Sequence, residues 1–315
     1  GPRTEMLELF GDKVRARQAA ADAGVPILPG LDHAITVEEA HDFFAQLPHS
    51  ASMIIKALAG GGGRGVRIVS DASEVDELYK RASSEAKAAF GNGDVYVEQL
   101  VPRARHIEVQ IAGDGSGAIA EFGERDCSIQ RRHQKLVEIA PAPGFPDELR
   151  QRIIDAAVSL GEATSYNSLG TVEFLVDATD LGPDSTFAFI EANARLQVEH
   201  TITEEVTSVD LVRLQIELAA GRSLDEIGVP RRHPNPRGVA IQARVNMETM
   251  RADGATVPSG GLISVFEPAT GPGIRVDTFG YAGYTTSPRY DSLLAKLITH
   301  TPSPSFHDAL ARTYR

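Results

Sequence analysis

Two alternating segments, GTVEFLVD (Gly170–Asp177) and TFAFIEAN (Thr186–Asn193), constrain this chain more than any other feature. Each shows the period-two pattern of a strand, and the connecting ATDLGPDS is rich in turn formers. Folded as a hairpin near Gly182, they place Glu173 opposite Glu191. Two carboxylates facing each other repel unless a cation sits between them or water solvates both. Asn193, two residues past Glu191 on the same strand face, adds a neutral oxygen. Hard oxygen donors of this kind suit Mg²⁺ or Mn²⁺ held together with substrate phosphates. A solvated polar face is the other reading.

The segments that follow and precede this hairpin are chemical too. EANARLQVEH brings Arg195, Gln197, Glu199 and His200 within a few residues of the acidic pair. An anion-orienting arginine beside a metal, with a carboxylate that can act as base, equips a site to activate a small acid. Upstream, GERDCSIQRRHQK packs Arg125, Arg131, Arg132, His133 and Lys135 together, either as an anion trap or as an exposed basic loop, with Cys127 and Ile129 as apolar anchors. RHIEVQIAG alternates Ile107, Val109 and Ile111 on one face with His106, Glu108 and Gln110 on the other.

Nearer the start, KALAGGGGRG (Lys56–Gly65) joins two β-rich stretches, SMIIKA and VRIV. A side-chain-free hairpin tip with a lysine at its base suits a lid over phosphates. Asp12 predicts a cap for a helix over Lys13–Ala23 closed by Gly24, and Thr36 with Glu39 a capping box. Residues 30–100 read as two helices on an antiparallel sheet. Strands are expected at Val239–Val245, Gly261–Phe266 and Ile274–Asp277, and a helix at Val209–Ala220.

With a net charge of −12, a nucleic-acid-binding surface is not expected. No apolar run reaches the ~18 residues of a membrane helix. A single cysteine, and neither a basic nor an apolar start in GPRTEML, predict a cytoplasmic protein without internal disulfides.

Taken in order, GDKVRARQAAADAGVPILPG, IIKALAGGGGRGVRIV, RHIEVQI, ERDCSIQRRHQK, GTVEFL, FIEANARLQVEH, ITEEVTSVDLV and YDSLLAKLI resemble segments of biotin carboxylase, an ATP-grasp enzyme. The resemblance implies an α+β, ATP-grasp fold with a helical linker at 1–29, a small lid domain at 30–101 carrying the glycine loop 59–65, and a larger catalytic domain at 102–315. It also implies a Rossmann-like domain ahead of Gly1, and a last helix that continues beyond Arg315. The implied reaction uses ATP, Mg²⁺ or Mn²⁺, and bicarbonate to carboxylate biotin on a carrier domain through carboxyphosphate, with a carboxyltransferase domain or subunit as further partner and a homo-oligomer allowed. The other enzyme reading is a bicarbonate-activating ligase of the carbamoyl-phosphate synthetase type, and the reading from another class is an incomplete nucleotide-binding module that only docks partners.

By matching position, Lys13, Lys56, Gly61, Gly62, Gly63 and His106 resemble nucleotide-phosphate ligands. Glu98 and Val101 fall near the adenine, and Gln130 and His133 at the ribose or phosphate side. Glu173, Glu191 and Asn193 resemble the metal site; Lys135, Arg195, Gln197 and Val198 the bicarbonate site. Glu199 resembles the base, Arg195 the residue that stabilises carboxyphosphate, and Arg244 the one that steadies the biotin enolate. The chain departs from common family forms at Ala59, Gln99, Thr201 and the VAIQAR stretch. Its RVNMETMRADGATVPSGG stretch resembles single-chain bacterial carboxylases of longer acyl-CoAs.

Overall fold

The computed structural model describes residues 1–48, 51–59, 65–131, 134–232, 236–252 and 255–315. Gly61, Gly62, Gly63 and His133 lie outside the described residues, and so do Arg132 and the middle of the glycine run.

Two helices open the chain, α1 (Thr4–Gly11) and α2 (Lys13–Asp22). Asp12 caps α2 by accepting from the N–H groups of Val14 and Arg15. Next comes α3 (Val37–Gln46), entered through the anticipated Thr36–Glu39 capping box. Strands β1 (Met53–Ala57) and β2 (Arg67–Val69), helix α4 (Val75–Phe90) and strand β3 (Val95–Gln99) complete an antiparallel sheet of order β2-β1-β3 under two helices. Phe43, Met53, Ile55, Val69, Ala82 and Val97 fill its core.

The larger sheet is built from β4 (Ala104–Asp114), β5 (Ile119–Arg131) and β6 (Gln134–Ala140), then β7 (Asn167–Asp177) and β8 (Phe187–Asn193) after helix α5 (Asp147–Ala163). Helices α6 (His200–Thr207), α7 (Leu211–Ala219) and α8 (Leu224–Ile227) lead to β9 (Val239–Asn246). Short ladders pair β10 (Glu248–Met250) with β11 (Thr256–Pro258), and β12 (Gly261–Leu262) with β14 (Thr285–Thr286). With β13 (Ile274–Thr278) and β15 (Leu293–Thr301), the order is β13-β15-β9-β6-β5-β4-β7-β8, antiparallel throughout; α9 (Phe306–Tyr314) follows.

One face of this sheet is dry. Ile107, Val109 and Ile111 of β4 meet Leu149, Ile153 and Leu160 of α5 and Phe10 of α1. The strand alternation then forces His106, Glu108 and Gln110 to the opposite face, which α6 and α7 cover only in part. Tyr166 locks the sheet's end: a Cβ at Gly113 would sit 2.1 Å from its carbonyl oxygen, and one at Gly170 2.5 Å from its hydroxyl. Two expectations need correction. GLISVF contributes only Gly261 and Leu262 as strand, with Val265 left exposed on the surface. The YDSLLAKLI motif, to which the sequence reading gave no element, supplies most of β15, whose polar Lys296 and Thr299 broke the apolar pattern.

Candidate active site

Strand pairing sets four charged residues side by side on the polar face. Glu191 faces Glu173, as the hairpin reading required, Glu173 faces Glu108, and Glu108 faces Arg125. Neighbours of this kind have Cβ atoms about 5 Å apart, so three carboxylates in a row need cations beside them. Arg125 supplies one from the row itself. Its Nε donates to Glu108 Oε1 at 2.5 Å, and its other nitrogens donate to Gln110, Thr203 and Thr171. Lys135, from the adjacent β6, supplies the second, with Nζ 2.5 Å from Glu108 Oε2, 2.7 Å from Glu199 Oε1 and 3.3 Å from Glu173 Oε1.

A cavity of about 640 Å³ opens over this row. Its walls bring together His106, Gln130, Lys135, Glu173, Glu191, Asn193, Arg195, Gln197, Val198, Glu199 and Arg244, eleven of the residues that the sequence singled out. Burial by itself lowers the Lys135 pKa, but the carboxylates of Glu108, Glu173 and Glu199 outweigh it and hold the ammonium well above its ordinary range. Burial pushes Glu173 the other way from its neighbours; Lys135 and His106 prevail, and its carboxyl falls to about 2. His106 Nε2 lies 2.5 Å from Glu173 Oε2, while its Nδ1 is 2.8 Å from Gln130 Nε2. Arg195 is exposed, and its Nη2 donates to Asn193 Oδ1 at 3.0 Å. Arg244 reaches Glu199 Oε2 from the far wall at 3.0 Å.

The donor set passes a chemical test for a hard divalent ion. Glu173, Glu191 and Asn193 meet in one patch, with Asn193 Nδ2 2.7 Å from Glu173 Oε1 and 3.3 Å from Glu191 Oε1. Oxygen donors of this type suit Mg²⁺ or Mn²⁺. His106, Glu108 and Glu173 also bring ligand atoms within 4.8 Å of one another. Both sets draw on Glu173, whose oxygens are held by His106, Lys135, Asn193 and Gln197; they differ in that Glu108 is wholly buried between Arg125 and Lys135, whereas Glu191 lines the cavity and is partly exposed. Gln197 donates to Glu173 Oε1 at 2.7 Å, yet its own Oε1 is buried without a partner among the described residues. A buried acceptor of this kind calls for a donor that the protein does not supply.

The remaining candidates sit elsewhere. Val101 lines a second cavity of about 270 Å³ between β3 and β7, walled by Leu28, Leu100, Leu175 and Ala188. Lys13 Nζ donates to the Ala57 carbonyl at 3.3 Å. Glu98 is buried, its two oxygens paired with Arg17 and Lys56. The geometry therefore ties Glu98 to Lys56.

The basic segment needs correction as an anion trap. Its described residues are strand, in β5 and β6, and Arg125 is wholly buried in its own network. Arg131 pairs with Glu248, and Ile129 is exposed instead of anchoring the segment. Of its described cations, Lys135 alone lines the cavity. Sequence reasoning also gave no role to Glu138, Gln242 or Arg17. The first two alternate with apolar residues in LVEIA and VAIQA, a signal equal to the one that exposed Glu108.

Residues 12–227 match the family described as the carbamoyl-phosphate synthase L chain, ATP binding domain, and residues 242–315 the biotin carboxylase C-terminal domain. Pyruvate carboxylase 1 of Caenorhabditis elegans is 49% identical over 95% of this chain and 25% of its own length. The biotin carboxylase of Campylobacter jejuni, solved as a βγ-ATP complex, superposes with a TM-score of 0.89 at 37% identity, covering 99% of this chain and 67% of that one. The biotin carboxylase domain of a single-chain bacterial carboxylase gives 0.83 at 43% identity, over 99% and 64%. The chain spans about a quarter of the length of the curated relatives it matches. Its two matched segments, and the ATP-grasp arrangement of a small sheet beside a larger one, lead to one assignment: the chain belongs to the biotin carboxylase family.

Proposed function

We propose that the chain carries out the ATP- and bicarbonate-dependent carboxylation of biotin on a carrier domain, through carboxyphosphate. The observation that carries this reading is Lys135, whose ammonium gathers Glu108, Glu173 and Glu199 at the floor of a cavity that Arg195, Gln197 and Arg244 also line. The cavity at Val101, where Leu28, Leu100, Leu175 and Ala188 stand beside Gln99, Asp177 and Thr186, has the size for an adenine ring and polar groups to orient it. From there the phosphates would extend toward Lys13, Lys56 and His106, with Gln130 and His133 beside the ribose and Gly61, Gly62 and Gly63 in the lid. Glu98 keeps Lys56 in position.

Glu173, Glu191 and Asn193 would hold magnesium or manganese, which would offset the phosphate charge. Bicarbonate would lie against Lys135, Arg195, Gln197 and Val198. The open acceptor of Gln197 suits its O–H, and Lys296 fixes the Val198 peptide by donating to its carbonyl at 2.9 Å. Glu199 takes the bicarbonate proton, and an oxygen of the resulting anion attacks the γ-phosphorus as ADP leaves. Arg195 stabilises carboxyphosphate, and Arg244 the deprotonated ureido group of biotin. Exclusion of water by the lid protects the intermediate.

A carrier domain and a carboxyltransferase would be the partners, and the final acceptor depends on them. Against the expected acyl-CoA, the 49% identity with a pyruvate carboxylase favours a 2-oxo acid.

The test is bicarbonate-dependent ADP release by the 315-residue chain with MgATP, with and without free biotin, beside Glu199→Gln. We expect biotin to stimulate release and the variant to lose about 100-fold, the scale of general base catalysis. Release that ignores biotin and survives in the variant refutes the proposal; stimulation by ammonia instead would favour carbamoyl-phosphate chemistry.

A further inference from the structure

Glu138 has no part in the reaction as described, yet it is fully buried and its hydrogen bonds all lead toward the cavity. It lies on β6 opposite Gln242 of β9. Its Oε2 accepts from Gln242 Nε2 at 2.9 Å, and Gln242 Oε1 accepts from Thr201 Oγ1 at 2.5 Å. Its Oε1 accepts from Arg244 Nε at 2.6 Å and also lies 2.6 Å from Arg244 Nη2, which in turn reaches Glu199 Oε2 at 3.0 Å. Thr201 and Glu199 are two residues apart at the start of α6, so the circuit closes on itself. Thr201 and Gln242 are also two of the positions where this chain departs from common family forms.

An arginine placed between two carboxylates is held by both, but the two grips differ. Glu199 shares its charge with Lys135 at 2.7 Å, and in the proposed reaction it takes up a proton. Protonation removes the charge that attracts Nη2. Glu138 touches neither Lys135 nor the bicarbonate side, and loss of the Glu199 charge, which pushes its carboxyl up, favours its ionised form, so its hold on Nε persists. Gln242, itself fixed by Thr201, keeps the Glu138 carboxylate from rotating away.

We infer that Glu138 is the positioning residue for Arg244: it anchors the guanidinium by Nε and the near side of Nη2, so that the outward N–H of Nη2 can pass from Glu199 to the anionic biotin ring. The inference rests on the proposed function for its last step, but the anchoring itself does not.

Two measurements separate these parts. In the ¹⁵N-labelled chain, the Arg244 Nε–H signal, assigned by its absence in Arg244→Lys, should exchange slowly with solvent. Glu138→Gln should speed that exchange about tenfold or more, the effect of losing a charge-assisted bond, whereas Glu199→Gln should change it less. Loss of protection in Glu199→Gln with none in Glu138→Gln overturns the anchoring, whether or not the chain turns over. Should Glu138→Gln fail to fold, Gln242→Leu replaces it, and unchanged exchange there overturns the anchoring equally. In turnover, Glu138→Gln should lower kcat for biotin-stimulated ADP release about tenfold with KM for ATP within about twofold, and Glu138→Asp should recover part of the loss. A loss confined to KM, or none, overturns the hand-over step. A chain without biotin-stimulated release refutes the proposed function and, with it, that step alone.

Discussion

Replacing Arg125 by Met tests whether the charged row is as dry as its geometry indicates. Arg125 and Glu108 are both completely buried, 2.5 Å apart, and the guanidinium also satisfies Gln110 Oε1 at 2.9 Å. Breaking a buried pair by removing one partner costs about 3–5 kcal/mol, and an orphaned neutral acceptor adds about 1–3 kcal/mol. Two effects reduce this. Lys135 stays 2.5 Å from Glu108 Oε2, and the methionine chain refills part of the space with apolar contacts. We therefore expect about 3–4 kcal/mol of lost stability, read as the change in urea unfolding free energy at neutral pH. The double variant Arg125→Met, Glu108→Met removes the stranded charge and should be more stable than Arg125→Met alone by at least about 1 kcal/mol. A loss below about 1 kcal/mol for the single variant, or strict additivity in the double, would mean that water reaches the pair, and the reasoning fails.

The Tyr166 contacts predict that Gly113→Ala destabilises by about 2–3 kcal/mol through overpacking against backbone that cannot yield. Gly182→Ala, where a Cβ meets nothing within 4 Å, should stay within about 0.5 kcal/mol, both variants read by urea unfolding. Burial, opposed by Arg244 and reinforced by Glu199, raises the Glu138 carboxyl to about 7 from 4.5. The folded state then binds more protons than the unfolded between those values, so this group's contribution falls as pH rises from 4.5 to about 7, by about 3 kcal/mol in total. Stability of Glu138→Gln measured against the unmodified chain across that range should improve with pH; a flat difference would refute the raised value.

The sequence disclosed those parts of the site that follow from local pattern. Period-two alternation put His106, Glu108 and Gln110 on one face, and hairpin geometry paired Glu173 with Glu191. Caps at Asp12 and Thr36 depend on residues only two or three positions away. What it could not disclose depends on partners far along the chain. Arg125 read as a free cation because the residues that enclose it, Glu108 and Thr203, stand 17 and 78 positions away. Glu138 drew no notice because its meaning comes from Arg244, 106 positions on. Val265 failed as a strand residue for the converse reason: local propensity was present, but among the described residues the backbone pairing with the 283–286 segment ends at Ile263.

How a chain of net charge −12 could admit bicarbonate and a polyphosphate is answered by depth instead of by count. In the ion pairs of Lys135 and Arg244 at the cavity floor the cation is the more exposed partner. The Lys135 side chain is 12% exposed, against 0%, 1% and 3% for Glu108, Glu173 and Glu199. Arg244 is 17% exposed, against 0% for Glu138. The carboxylates form a lower layer that desolvation and strand pairing hold in place, and the ammonium and guanidinium groups lie over it toward the opening. At the floor, an anion meets the Lys135 and Arg244 cations before it meets the acids beneath them, at short range. The buried acids beneath keep those cations charged and oriented. Removing a lower carboxylate would therefore weaken anion binding more by misplacing its cation than it would strengthen it by deleting a negative charge, and that is why Glu108 and Glu138 matter to a site they hardly touch.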